Sequence, residues 1–173
     1  MTAAGANRYV KAVLWDMDGT LMNSQPIWDE SFRRRCQERG GTVTPEQVAG
    51  IAGASIARTR ELIAETGATE SPEDPATAEV FARIAADVGE AVRADPPILP
   101  GARRITSMLS EIGLAQVIVT QSPRPIVESV AHALGDVFVE LVTGDDGLPG
   151  KPTPAPYAAA IERLGLRPEE CVA

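Results

Sequence analysis

Residues 13–21 are Val13-Leu14-Trp15-Asp16-Met17-Asp18-Gly19-Thr20-Leu21. An apolar segment at residues 9–15, predicted to be a strand, is followed directly by two carboxylates one residue apart, a glycine and a hydroxyl. Ligands of parallel α/β sheets bind in the crevice beyond the carboxyl ends of the strands, so we expect Asp16 to lie at a binding site. A carboxylate there can act as a covalent nucleophile, which predicts phosphoryl-transfer chemistry.

The two aspartates are expected to differ in role. Gly19 allows a tight turn as the chain leaves the sheet, so that Asp16 can face a phosphorus atom while Asp18 reaches the leaving oxygen. Two carboxylates beside a phosphate dianion repel it, which predicts a divalent cation, Mg²⁺, held by oxygen ligands. The alternative interpretation is an ordinary Asp-Gly turn after a buried strand.

Composition limits the class of protein. The chain has 173 residues, of which 44% are hydrophobic, enough to bury one core, with or without a small insertion. A net charge of −8 argues against nucleic-acid binding, and we interpret Arg33-Arg34-Arg35 as the solvated face of a helix. No apolar run approaches the roughly 20 residues that span a bilayer. With two cysteines and no signal-like start, the sequence favours the cytoplasm.

The periodicity of the sequence changes twice along the chain. After the first strand, helical patterns run to about residue 93, and they include a capping box at residues 44–47 and a long helix at about 75–93 with apolar residues on one face. A Pro-rich linker at 95–101 is followed by alternating strands and helices. We therefore predict an α/β core of residues 1–22 and 100–173, interrupted after its first strand by a helical domain of residues 23–99. Further predicted strands are 114–119, 137–142 and one that opens at 171. Predicted core helices are 102–112, 123–134 and 154–164, with Ser122 and Thr153 capping the last two.

Two further polar residues follow predicted core strands. Thr120 ends the strand 114–119, where its hydroxyl can bind a phosphoryl oxygen or simply cap the strand end. Lys151 lies in Gly150-Lys151-Pro152-Thr153-Pro154, where the prolines stiffen the loop and a fixed ammonium can neutralise charge on a nucleophile and a phosphate. Its alternative is a solvated loop lysine. The phosphoryl-transfer hypothesis requires Asp16, Thr120 and Lys151 to converge on one pocket.

The order of these motifs resembles the haloacid-dehalogenase-like hydrolase superfamily, specifically the capped sugar-phosphate or polyol-phosphate phosphatases and β-phosphoglucomutases. The resemblance implies a Rossmann-like parallel sheet with a helical cap. It also implies that Asp16 forms an aspartyl phosphate, Asp18 is the acid/base, Thr120 orients the phosphate and Lys151 stabilises charge. Asp16 and the backbone carbonyl of Asp18 are the implied ligands of Mg²⁺. An Mg²⁺-dependent phosphatase of small phosphorylated metabolites is expected, with a phosphosugar mutase as an alternative.

Within that superfamily, the segment that ends at Trp28 is similar to the phosphatases, because the mutases have a histidine where Trp28 stands. Gly53 and Ser55 match a cap loop that faces the active site, although Ile56 replaces an arginine of the mutases. The resemblance also places Gly19 and Gln121 next to the phosphate. Trp28 is equally well explained as part of the cap core.

The sequence also departs from the family pattern. The acidic pair of the fourth motif, which supplies further Mg²⁺ ligands, normally follows the strand that begins near Cys171, and we expect it and the last core strands to be missing here. Asp145 and Asp146 precede Lys151 and are interpreted as a loop turn. A fragment that binds phosphate or a partner without turnover is therefore a second hypothesis. The sequence indicates neither the individual substrate nor the oligomeric state.

Overall fold

The computed structural model describes residues 10–173. Four parallel strands form one sheet in the order β3-β2-β1-β4, with bounds β1 Ala12–Trp15, β2 Ala115–Val119, β3 Glu140–Val142 and β4 Cys171–Val172. The helices are α1 Gln25–Glu38, α2 Pro45–Gly50, α3 Ile56–Glu65, α4 Pro75–Ala94, α5 Ala102–Glu111, α6 Arg124–Ala133 and α7 Ala155–Leu164. Across residues 10–173, every helix is too short or too polar to cross a membrane.

The central strand β2 is buried on both faces. Val117 and Val119 belong to a cluster with residues of β3 and α7, whereas Ile118 packs on the opposite side against α6. Burial on both faces is typical of a parallel sheet covered by helices, and it explains the continuous apolar run in β2. This architecture confirms the predicted α/β class with a parallel sheet.

Helices α1–α4 follow β1 and pack around a cluster of their own that includes Phe32, Ile63 and Ile84. Trp28 contacts both this cluster and the core beneath α6. Helix α4 also contacts both clusters, because its apolar residues recur every four positions and form one stripe along the helix. Val80 and Ile84 pack in the helical cluster, and Val88 and Val92 pack in the core cluster.

Several local predictions need correction. The third strand begins at Glu140 rather than residue 137, because only the segment from Val139 onward lies close enough to β2 for its N–H groups to bond there. Ser122 and Thr153 are not helix caps: α6 and α7 begin after Pro123 and Pro154, without a side-chain cap hydrogen bond. The predicted start of the first strand at residue 9 lies outside the described residues.

The arginine run in α1 is not simply a solvated surface. Arg34 and Arg35 both bind the Asp87 carboxylate of α4, at 2.7 Å and 2.6 Å. Ser31 donates a further hydrogen bond to Asp87 at 2.5 Å. These bonds hold the pKa of Asp87 well below its usual value, chiefly through the Arg35 guanidinium. The run therefore contributes to packing between α1 and α4.

Candidate active site

Asp16 begins a tight loop at the carboxyl end of β1. The Met17 carbonyl accepts hydrogen bonds from the backbone N–H groups of Thr20, Leu21 and Met22, which closes the loop. Gly19 has φ +85°, a conformation that L-residues with side chains rarely adopt. The turn predicted from Asp18-Gly19 is therefore present, and it places both aspartates at the end of β1.

Lys151 contacts Asp16 directly. Its Nζ lies 2.5 Å from Asp16 Oδ1 and donates a second hydrogen bond to the Val119 carbonyl at 2.8 Å. The ammonium also lies 5.1 Å from the centre of the Tyr157 ring, within reach of a cation–π contact. Thr20 donates to the other oxygen of Asp16 at 3.1 Å. The Asp16 side chain is nevertheless 40% exposed, so it is accessible to a ligand.

Three hydroxyl groups surround the carboxylate of Asp18. Thr120 and Ser122 donate to Oδ2 at 3.0 Å and 2.7 Å, and Ser24 donates to Oδ1. Thr120 also accepts a hydrogen bond from the backbone N–H of Ser122, at 3.1 Å, which orders the turn after β2. The side chain of Asp18 is thus oriented by groups from the start of α1 and the end of β2.

Ser24 and Ser122 are site residues that the sequence analysis missed. Ser24 is completely buried and occupies the N-cap position of α1, yet its hydroxyl makes no cap bond and contacts Asp18 instead. Ser122 likewise makes no cap bond to α6, and its hydroxyl contacts Asp18 instead. A serine just before a helix start gives no sequence signal for this choice, because capping is the usual role of such a residue.

A cleft lies between the strand ends and the helices α1, α3 and α4. It is lined by Asp16, Asp18, Gln25, Trp28, Ile51, Gly53, Ala54, Ile56, Thr59, Phe81, Thr120, Gln121, Ser122, Pro123 and Lys151. The structure thus brings together Asp16, Asp18, Thr120, Lys151 and three of the further predicted residues. Gly19 and Ser55 are not part of this lining.

The loop before α3 approaches the Lys151 loop closely. Ser55 caps α3, since its Oγ accepts a hydrogen bond from the backbone N–H of Arg58 at 3.1 Å. A Cβ atom added to Gly150 would lie 3.1 Å from the Ser55 Cβ and 2.7 Å from Gln121 Oε1. Ser55 therefore orders the backbone at the edge of the cleft, and its hydroxyl oxygen accepts the hydrogen bond that caps α3.

Asp145 and Asp146 form a 3₁₀ turn beside α6, as expected of a loop turn. Asp145 accepts from the backbone N–H of Arg124 at 2.7 Å, and Asp146 accepts from the Arg124 and Arg163 side chains at 2.9 Å and 2.8 Å. Burial alone would raise the pKa of Asp146, but hydrogen bonds from Arg124, Arg163 and Thr143 hold that pKa below its usual value. Both carboxylates have structural partners away from the cleft.

The donor atoms at the strand ends are suited to a hard cation. Within residues 10–173 there is no group of three or more His, Cys, Asp or Glu side chains arranged to hold a metal. Mg²⁺, however, commonly uses one or two protein carboxylates and completes its shell with water and substrate phosphate oxygens. The Asp16 carboxylate, which is 40% exposed, fits that pattern, and the backbone carbonyl of Asp18 would add a further oxygen ligand.

Comparison with known proteins identifies the family. Residues 10–173 match the profile of haloacid dehalogenase-like hydrolases. The chain belongs to this family. Hexitol phosphatase B of Escherichia coli strain K12 is 28% identical over 96% of this chain and 75% of its own length. Hexitol phosphatase A of the same strain is 31% identical, over 94% and 72%.

A similar fold occurs in the crystal structure of a β-phosphoglucomutase from Clostridium difficile. The TM-score is 0.79 at 17% sequence identity, covering 94% of this chain and 74% of that one. This likeness, together with the family match, confirms the predicted superfamily, its Rossmann-like core and the hydrolase class.

Proposed function

We propose that the chain is an Mg²⁺-dependent phosphatase of small phosphorylated metabolites, of the sugar-phosphate or polyol-phosphate class. The observation that carries this proposal is the exposed Asp16 carboxylate, placed at the end of β1 with the Lys151 ammonium 2.5 Å away. The relatives named hexitol phosphatases support the substrate class. In this proposal, residues 23–99 act as a cap over the core of residues 1–22 and 100–173.

The first half of the reaction is transfer of the phosphoryl group to Asp16. A carboxylate oxygen of Asp16 attacks phosphorus, and the bond between phosphorus and the ester oxygen breaks. Asp18 gives a proton to that oxygen, so the product leaves as a neutral alcohol. During this step Ser24 and Ser122 keep the Asp18 carboxyl group in place, and the Thr120 hydroxyl turns from Asp18 to the phosphate.

The second half is hydrolysis of the aspartyl phosphate. Asp18, now a carboxylate, takes a proton from a water molecule that attacks phosphorus. The bond between phosphorus and Asp16 breaks, which releases inorganic phosphate and restores the nucleophile. Lys151 and the Thr120 hydroxyl hold phosphoryl oxygens as negative charge moves between them. Mg²⁺, held by the Asp16 carboxylate and the backbone carbonyl of Asp18, would supply further positive charge at the phosphate.

Binding of phosphate without turnover is a second candidate. It is favoured by the small number of metal-binding side chains, because the described residues place only two carboxylates at the cleft. The two candidates differ in whether phosphate ever becomes covalently attached to Asp16. Mass spectrometry of rapidly quenched protein measures that attachment directly.

The test of the proposal is hydrolysis of p-nitrophenyl phosphate and of a hexitol 6-phosphate, with and without Mg²⁺. We expect turnover with Mg²⁺, its loss after chelation, and its loss in Asp16→Asn. Asp136→Asn is a matched control, because that exposed carboxylate contacts only His132 in the described part of the chain. Full activity in Asp16→Asn would show that Asp16 is not the nucleophile.

A further inference from the structure

The cleft contains little positive charge. Among the described residues that line it, Lys151 is the sole cation, and that ammonium already pairs with Asp16. The second carboxylate, Asp18, is bound by neutral hydroxyl groups alone. A divalent cation and one phosphate dianion offset each other, so a further anionic group on the ligand would find no second cation in this lining with which to pair.

The wall that α1, α3, α4 and their loops contribute to the cleft is mainly apolar. It consists of Trp28, Ile51, Ala54, Ile56 and Phe81, with Gly53 at the edge. An indole and a phenyl ring of this kind pack well against the carbon skeleton of a ligand.

The two polar side chains of this wall are already hydrogen-bonded within the protein. Gln25 donates its amide to Asp29 at 2.6 Å, and the Thr59 hydroxyl donates to the Ser55 carbonyl at 3.0 Å. What remains is the carbonyl oxygen and one N–H of Gln25 and the lone pairs of the Thr59 hydroxyl, and none of these groups carries a positive charge that could pair with an anion.

We propose that this wall selects monophosphate esters of uncharged alcohols and excludes esters with a second anionic group, such as phosphate-carboxylates and bisphosphates. The inference deepens the proposed phosphatase function and rests on it. The carbon skeleton of the alcohol packs against Trp28 and Phe81, and its hydroxyl groups donate to Gln25. A second phosphate or a carboxylate at the same place would lose its hydration shell without gaining a cationic partner.

The experiment compares two esters of nearly equal size. 2-Hydroxyethyl phosphate has a hydroxymethyl group at the position where 2-phosphoglycolate has a carboxylate. We expect kcat/KM to be at least tenfold higher for the neutral ester. The same ratio is expected between a hexitol 6-phosphate and its 1,6-bisphosphate. Binding of each ester to Asp16→Asn in the presence of Mg²⁺ gives a second readout that does not depend on turnover.

A charge placed on the wall provides the decisive comparison. Ile56→Arg should raise the ratio of kcat/KM for 2-phosphoglycolate to kcat/KM for 2-hydroxyethyl phosphate about tenfold relative to Ile56→Gln, which is polar but uncharged. Arg60→Gln tests whether a cation one turn further along α3 reaches the ligand, and we expect it to leave the ratio of the two esters unchanged.

The possible failures of this inference can be told apart from failure of the proposed function. Equal kcat/KM for the two esters in the unmodified chain, or equal effects of Ile56→Arg and Ile56→Gln, would overturn the selectivity while leaving the phosphatase intact. A change of the ratio in Arg60→Gln would also overturn it. Absence of Mg²⁺-dependent hydrolysis for every ester, p-nitrophenyl phosphate included, would overturn both.

Discussion

Lys151 Nζ and Asp16 Oδ1 lie 2.5 Å apart although 135 positions separate the two residues in the chain. The ammonium is held from a second side by the Val119 carbonyl at the end of β2, and its side chain is only 21% exposed. Lys151 is therefore fixed between two strand ends, with its charge directed at the proposed nucleophile.

Removal of this charge should impair catalysis more than binding. Lys151→Met is expected to lower kcat about 10²- to 10³-fold, because positive charge at the phosphoryl group would be lost where negative charge develops. Lys151→Arg keeps the charge with altered geometry and should lie between Lys151→Met and the unmodified chain. Steady-state kinetics with p-nitrophenyl phosphate measures both. Equal kcat in Lys151→Met and the unmodified chain would rule out this role.

The two serines on Asp18 should act as positioning residues. In Ser24→Ala combined with Ser122→Ala, two of the three hydroxyl donors to Asp18 are lost, so the carboxyl group samples more orientations. We expect kcat of this double variant to fall about tenfold with little change in KM. Ser24→Thr in place of Ser24→Ala, with Ser122→Ala retained, should restore part of the lost kcat. Ser110→Ala, on the exposed surface of α5, is the control. A parallel rise in KM would instead indicate a role in substrate binding.

Asp87 should give the chain a stability that depends on pH. Its pKa is depressed in the folded state by Arg35, Ser31 and Arg34, so the stabilisation is present above about pH 4, the ordinary range of an aspartate, and is lost as the pH falls toward the folded-state pKa. Asp87→Asn should lower the free energy of unfolding by about 2 kcal/mol at pH 7. The difference from the unmodified chain should shrink at pH 3.

Urea denaturation at the two pH values measures this difference. Glu38→Gln is the matched control, because Glu38 also pairs with Arg35 but is 46% exposed, where an ion pair contributes little. If the difference in free energy of unfolding between Asp87→Asn and the unmodified chain stays constant from pH 7 to pH 3, Asp87 is not the source of the pH dependence.

Gly144 should tolerate no side chain. A Cβ atom there would lie 2.1 Å from the Gln121 carbonyl oxygen and 3.1 Å from Ile56 Cδ1. Gly144→Ala should therefore lower the free energy of unfolding by about 1–3 kcal/mol and reduce activity, because the turn after β2 must shift. In Gly50→Ala the added atom meets only a Leu62 methyl at 3.4 Å, and stability should change little. Thermal unfolding and steady-state kinetics of both variants measure these changes in stability and activity.

The structure agrees with the sequence-based prediction for most elements, as particular segments show. Helix α4 was predicted at residues 75–93 from its apolar face and occupies Pro75–Ala94, and the capping box at Thr44 and Gln47 is present. These features depend on neighbours within a turn or two of the same helix, so local sequence is sufficient. The third strand was predicted too long, because alternation alone does not show where a segment meets its neighbour in the sheet.

Sequence by itself determined the parallel α/β core and the helical segment after β1. It also determined that Asp16 and Thr120 lie at strand ends and that Lys151 lies in the loop before α7, since hydrophobic periodicity and turn residues act over short distances. Tertiary structure alone decided that Ser122, 104 positions from Asp18, binds that carboxylate and that the facing wall is apolar. A hydroxyl bonds whichever acceptor the chain crossings bring within about 3 Å, and no local pattern encodes that distance.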